Sequence, residues 1–179
     1  MKPRDIARIS LFTALLIALG FIPPLPLGFL PVPIVLQNLG VLLAAAILGP
    51  KRGSIAVGLF FLLVLVGLPV LSSRTAGIGV FYGASGGFLL GWLVTPAVYG
   101  GGRRLLGARA AGWQRGGLLW LVGVVLVDGL GALWLCVGLH LPLMSAVLAS
   151  LVFVPGDTLK TVLAVLVTER MRQLRLAAQ

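Results

Sequence analysis

The sequence predicts an all-α integral membrane protein of six transmembrane helices with both termini cytoplasmic. Three observations carry that expectation: the composition, the spacing of helix breakers, and the placement of the cations. Of 179 residues, 59% are apolar and 10% charged, and the mean hydropathy is +1.13. A soluble domain carries about 25% charged residues, and 18 charges cannot cover one of this size. The aliphatic content excludes a disordered chain. A net charge of +10 would suit a nucleic-acid partner, but such a protein needs a hydrophilic body around its basic patch, and this chain has none.

A spanning helix needs roughly 20 mostly apolar residues. Charge, proline and glycine clusters divide the chain into six candidates at about 6–22, 34–49, 53–67, 80–101, 116–139 and 143–168. These make a single domain over 1–179, with short cytoplasmic tails at about 1–7 and 170–179. The second and third candidates are short, which predicts tilt or partial spanning. Residues 23–33 contain five prolines, so this segment is an extended or re-entrant connection, not helix interior. No small-residue cleavage site follows the first apolar stretch, which reads as a retained helix and not a signal peptide.

The cations fix the orientation. With a cytoplasmic N-terminus, Lys2, Arg4, Arg8, Lys51, Arg52, Arg103, Arg104, Arg109, Arg115, Arg170, Arg172 and Arg175 all fall inside. Of the 14 Lys and Arg residues only Arg74 lies outside, and Lys160 lies within a helix. An inside excess of this kind sets both termini in the cytoplasm, and it assigns the net charge to lipid headgroups or a cytoplasmic partner. The expected location is a bacterial cytoplasmic (inner) membrane, crossed several times. Trp92, Trp113, Trp120 and Trp134 fall near candidate helix ends or in the outer turns, as membrane-interface anchors do.

Ionisable residues inside spans are the first candidates for function, since each costs about 2.5–3.5 kcal/mol near the bilayer centre. Asp128 lies in the fifth span, and Asp157 and Lys160 in the sixth. The latter two are three residues apart and share a helix face. They form either a mutually neutralising pair or a clamp for a ligand with both donors and an anionic group. Pro155-Gly156 directly before Asp157 predicts a kink or unwound turn. Asp128 suits a structural hydrogen bond as well as a ligand contact and stays unassigned. Gln37 and Asn38 open the second helix, and Tyr82, Ser85, Gly86 and Gly87 open the fourth. With Arg74, all would line an outward-facing pocket, although Gly86-Gly87 equally suits close helix packing and Arg74 a solvated loop. Ala14 and Ala18 form a small-xxx-small pattern on the first helix.

Several chemistries have no carrier. The chain lacks a phosphate-binding G-x-x-x-x-G-K-[ST] loop. Its single His140 and Cys136 cannot make a metal site, and no G-x-S-x-G or H-E-x-x-H is present. Cys136 has no intramolecular disulfide partner. No internal repeat is evident, which speaks against an inverted-repeat carrier. The residues describe a binder that is not an enzyme and needs no cofactor of its own.

Four ordered motifs resemble one family. Pro31-Val-Pro-Ile-Val-Leu-Gln-Asn-Leu-Gly-Val-Leu-Leu-Ala44, followed by Leu48-Gly-Pro-Lys-Arg-Gly53, is similar to the early part of the BioY family, the biotin-specific S components of energy-coupling factor (ECF) transporters. Gly67-Leu-Pro-Val70 follows in order. Gly83-Ala-Ser-Gly-Gly-Phe-Leu-Leu-Gly91 resembles that family's Gly-Pro-Thr-Gly-Gly-Tyr-Leu-x-Gly, with Ala84-Ser85 in place of Pro-Thr. Val154-Pro-Gly-Asp-Thr-Leu-Lys160 is similar to its Pro-Gly-Asp-x-x-Lys element. After Gly-Leu-Pro-Val the chain departs from the family's glycine-rich segment with Leu71-Ser-Ser-Arg-Thr-Ala-Gly-Ile-Gly79.

The resemblance implies a six-helix S component that captures biotin from outside and works with a transmembrane T component and two cytoplasmic ABC-type ATPases. ATP and Mg would act only in those partners. It implies that Ala14 and Ala18 contact the T component and that Asp157 and Lys160 contact the ligand. An acceptor, a cation and an apolar wall are what a ureido ring, a carboxylate and an apolar bicycle require. The same fold with another vitamin, and a self-sufficient proton-coupled carrier or channel using Asp128, Asp157 and Lys160 as a relay, are the alternatives.

Overall fold

The computed structural model describes residues 2–25, 32–107 and 109–177. Among these, helices make up the fold, and the strand-like pairing is an isolated antiparallel bridge between Leu25 and Ile34, with N–H···O bonds of 2.8 and 3.0 Å. The bridge ties together the two ends of the proline-rich connection. The expectation of an extended or re-entrant course for that connection falls partly on residues 26–31, outside the described residues.

Helix α1 (Pro3–Gly20) starts with proline in its first turn, where the missing N–H costs nothing. Helix α2 (Asn38–Leu43) runs on through a π-helical stretch (Ala44–Leu48) into α3 (Gly49–Leu65). This 28-residue run is not a straight rod. Gly49 has φ +77°, which an L side chain rarely adopts. A Cβ on Gly53 would come within 2.9 Å of the Ala44 carbonyl oxygen, whereas nine residues of straight helix would separate them by about 13.5 Å. The chain therefore reverses at Gly49, and α3 packs back against the π-helical stretch. Gly49 supplies the reversal that the sequence expected from the charged Pro50-Lys51-Arg52 loop.

A single turn, α4 (Gly79–Tyr82), precedes α5 (Gly86–Leu106). The fourth expected span is thus broken at residues 83–85. Helix α6 (Gly112–Trp120), a second π-helical stretch (Leu121–Leu126) and α7 (Val127–Val137) form one 26-residue apolar run. Helices α8 (Leu143–Leu151) and α9 (Val154–Ala177) meet at a bend of 41°. The expected break at Pro155-Gly156 is displaced to Val152 and Phe153. Pro155 lies in the first turn of α9, the position where proline fits a helix. The Phe153 N–H donates to the Ser150 carbonyl (3.0 Å) and the Asp157 N–H to that of Phe153 (2.9 Å), so the bend leaves both bonded. Both expected tails are largely absorbed into α1 and α9.

Asn38–Leu65 and Gly112–Val137 meet the length and apolarity of a membrane span, although the first folds back at Gly49, and the bent pair Leu143–Leu151 with Val154–Leu174 would make a third. Those criteria do not give six crossings. Leu62, Val66, Leu133, Leu148 and Leu166 are each more than half exposed on the outer faces, an apolar surface of the kind that lipid covers.

The core has two clusters. One joins Leu16, Val41, Val57, Phe60, Phe61, Trp92 and Leu135, and the other Leu42, Tyr99, Leu119, Val122 and Ala164. Trp92 belongs to the first cluster. It is 6% exposed and stacks on Phe61 with ring centroids 6.5 Å apart and planes 11° apart. It is therefore not a membrane-interface anchor. Trp120 donates to Thr158 Oγ1 (2.9 Å) and Trp134 to the Gly83 carbonyl (2.9 Å); Trp113 alone of the four is largely exposed.

The cationic segments converge on one end of the bundle. Arg52 pairs with Asp5 (2.8 Å), joining the starts of α1 and α3. Arg115 pairs with Glu169 (2.8 Å), joining the start of α6 to the later part of α9. Gly100 lies against Pro50 and Gly102 against Leu118, which brings the end of α5 to the same place.

Candidate functional site

The opposite end holds a cavity of about 80 Å³, lined mostly by apolar side chains with a few convergent polar groups, as small-molecule sites are. The start of α2 contributes Gln37 and Asn38, the connection before it Val32, Pro33 and Val35, and the loop after α3 Leu71, Ser72 and Ser73. Ser85, Phe88, Leu89 and Trp92 come from the start of α5, Val127 and Asp128 from α7, and Phe153, Asp157 and Lys160 from the α8–α9 bend and first turns of α9. Phe88 and Phe153 meet edge to face with centroids 5.4 Å apart, forming part of the apolar wall. The 41° bend matters here because it turns the first turns of α9 toward α2.

Asp157 and Lys160 form the polar centre. Their side chains are each 7% exposed, and Lys160 Nζ lies 2.5 Å from Asp157 Oδ1. Lys160 also donates to the Val35 carbonyl (2.8 Å) and to Asn38 Oδ1 (2.9 Å). An ammonium has three protons, so all three of its N–H groups are used within the protein. The lysine therefore ties α9 to α2 and to the proline-rich connection. It also orients Asn38, whose oxygen faces the ammonium and whose amide N–H₂ is left for another acceptor. Asp157 Oδ2 accepts no hydrogen bond from the described residues.

Gln37 is 1% exposed and acts as a second hub. Its Nε2 donates to the carbonyls of Leu16 (2.8 Å) and Val70 (2.9 Å), and its Oε1 accepts from the N–H (3.2 Å) and Oγ (3.3 Å) of Ser72. Both of its amide protons are committed to holding α1, α2 and the loop after α3 together. Its place in the lining is structural in origin, because its polar atoms are bonded to backbone groups and to the Ser72 hydroxyl.

The residues expected at the site separate into two groups. Asp157, Lys160, Gln37, Asn38 and Ser85 line the cavity; Arg74, Tyr82, Gly86 and Gly87 do not. Arg74 is exposed, with φ +54°, and Tyr82 is 69% exposed. At Gly86 a Cβ would lie 2.8 Å from the Trp134 ring, and at Gly87 it would overlap Trp134 Cβ and the Leu130 carbonyl. These glycines make close helix contact, the packing reading of the pair. Sequence reasoning left Asp128 unassigned, and the cavity includes it. It missed Ser72, Ser73, Trp92 and the Phe88–Phe153 wall, none of which carries a spacing signal.

The BioY family model matches residues 1–177. The chain belongs to the BioY family. Among similar proteins, the biotin transporter BioY of Lactococcus lactis subsp. cremoris (strain MG1363) is 41% identical over 174 residues, 96% of this chain and 92% of that protein. The biotin transporter BioY of Rhodobacter capsulatus is 43% identical over 190 residues, covering 98% and 96% of the two chains. A crystal structure of the S-component for biotin from an ECF-type ABC transporter superposes with TM-score 0.91 at 39% identity, over 97% of this chain and 95% of that one. The all-helical fold of this BioY chain is thus an S-component fold, and its motif residues at Asn38, Asp157 and Lys160 converge on one cavity.

Proposed function

We propose that this chain is the biotin-binding membrane subunit of an ECF-type uptake transporter, a substrate-binding component and not an enzyme. The observation that carries the reading is the Asp157–Lys160–Asn38 cluster, buried on the floor of a cavity with aromatic walls. With every Lys160 proton engaged, the α2–α9 cluster leaves a ligand an Asp157 oxygen and the Asn38 amide. That set takes one donor and the carbonyl of a ureido ring, while Phe88, Trp92 and Phe153 face its apolar bicycle. The ligand carboxylate then points toward Ser73, an exposed hydroxyl residue of the lining. Arg74, Tyr82, Gly86 and Gly87 act behind this set, through the loop and the packing of α5.

The chain acts as one domain in the bacterial cytoplasmic membrane and crosses it six times: as α1, α2 with its π-helical extension, α3, α5, α6–α7 and α8–α9. The reversal at Gly49 supports that count. Both termini and the cationic end face the cytoplasm, and the cavity faces outward. Ala14 and Ala18, exposed one turn apart on α1, present a small-residue face to a T component. Two ABC-type ATPases supply ATP hydrolysis with their own Mg.

Uptake of labelled biotin by cells carrying this chain with such partners tests the reading. Uptake is expected to stop when the ATPases are inactivated. It is expected to survive collapse of the proton gradient at constant ATP. Loss with the gradient, and persistence without the ATPases, would instead identify a proton-coupled carrier.

A further inference from the structure

Asp128 is 5% exposed and lines the cavity, yet no donor among the described residues reaches either carboxyl oxygen. Its position is fixed by the packing of α7 on α5. Helix α7 is held against α5 where Gly87 meets Leu130, Gly91 meets Val127, and Gly131 meets the Phe88 ring, and the Trp134 indole is tied to Gly83. Asp128 therefore has no role in joining these helices that would account for a buried carboxyl group. Burying such a group without a partner destabilises a protein, and inside a membrane more so. Among the described residues the one cation in the lining is Lys160, whose protons are already shared among Val35, Asn38 and Asp157. The cavity thus holds two carboxyl groups and one committed ammonium, and its unmet demand is for donors.

We propose that Asp128 is a specificity-determining residue of the binding site, accepting one of the two ureido N–H groups of the ligand. The inference rests on the biotin reading above and deepens it. A cyclic urea carries two N–H donors on opposite sides of its carbonyl. Asp157 offers one unused oxygen on α9, and Asp128 offers two on α7. The pair receives both N–H groups from different helices, which requires a donor at each position of the ring.

The test uses the full-length protein in detergent, with biotin and two isosteric carbamate analogues, each with ring oxygen in place of one ureido N–H. The wild type is expected to bind biotin and to reject the analogue whose oxygen faces Asp128. Asp128→Leu is expected to weaken biotin binding roughly 10- to 100-fold, the usual cost of leaving one buried N–H without its acceptor, and to bind biotin and that analogue about equally. Its ligand-free thermal midpoint is expected to stay level or rise, because an unpartnered carboxyl group has been removed. Asp128→Asn, which keeps an acceptor oxygen and near-identical volume, is expected to lose affinity several-fold and guards against a folding defect in the leucine variant. Unchanged biotin affinity in both variants overturns the proposal. So does an equal loss for biotin and both analogues, which would assign Asp128 a structural role. Failure of the wild type to bind biotin is a different observation and removes the biotin reading itself.

Discussion

Lys160→Ala is expected to abolish measurable biotin binding and to lower the stability of the ligand-free protein by about 3–5 kcal/mol. The two effects have one origin. The ammonium is the shared donor for Asp157, Asn38 and the Val35 carbonyl. Removing it leaves a buried carboxylate without compensation and releases Asn38 from its orientation. The double variant Asp157→Leu/Lys160→Met separates the two effects. Replacing both charges with apolar groups of similar volume is often neutral or stabilising, so its thermal midpoint is expected to recover most of the loss while binding stays absent. Thermal unfolding in detergent with parallel biotin titration reads both. If biotin binding recovers with stability, the pair only neutralises itself and the ligand is held elsewhere.

The second large effect is expected at Gly87→Val. A Cβ there overlaps Trp134 Cβ and the Leu130 carbonyl oxygen, so α5 and α7 must separate. The cost is expected at or above the upper end of the roughly 1–3 kcal/mol of overpacked cores, since one clashing partner is backbone. Binding falls with it, because the first turns of α5 bring Ser85, Phe88 and Leu89 to the cavity. Gly129→Ala on the same α7 is the control: no atom lies within 4 Å of its Cβ position, and the midpoint is expected to hold. Equal midpoints for Gly87→Val and wild type would contradict the packing assigned to α5 and α7.

These two sites also show what a sequence displays and what it withholds. Asp157 and Lys160 were legible because charge is expensive in a bilayer and a three-residue spacing puts both on one face. Asn38 was legible as a polar residue at a helix start on the side away from the cations. The segregation of cations and the helix-breaking clusters likewise foretold the two-ended bundle. Gly86 and Gly87 were ambiguous, because glycine serves a ligand or a neighbouring helix equally well; the facing Trp134 decides, and nothing local announces it. Trp92 misled for a related reason, since tryptophan in an outer turn suits an interface anchor, and the stack on Phe61 of α3 draws it into the core. Asp128 suited a structural hydrogen bond and a ligand contact equally; with α7 seated on α5, it lines the cavity without a hydrogen-bond partner among the described residues. The bend before α9 moved from Pro155-Gly156 to Val152-Phe153 because proline is at home in a first turn. The two π-helical stretches, Ala44–Leu48 and Leu121–Leu126, have no signature in composition, and the reversal at Gly49 depends on one backbone dihedral.

The claim on which the rest depends is that the cavity binds biotin. Equilibrium titration of biotin into the purified, partner-free protein tests it most directly. Saturable binding at one site per chain, lost in Lys160→Ala, is the predicted result. A folded, monodisperse sample that takes up no biotin would contradict the account.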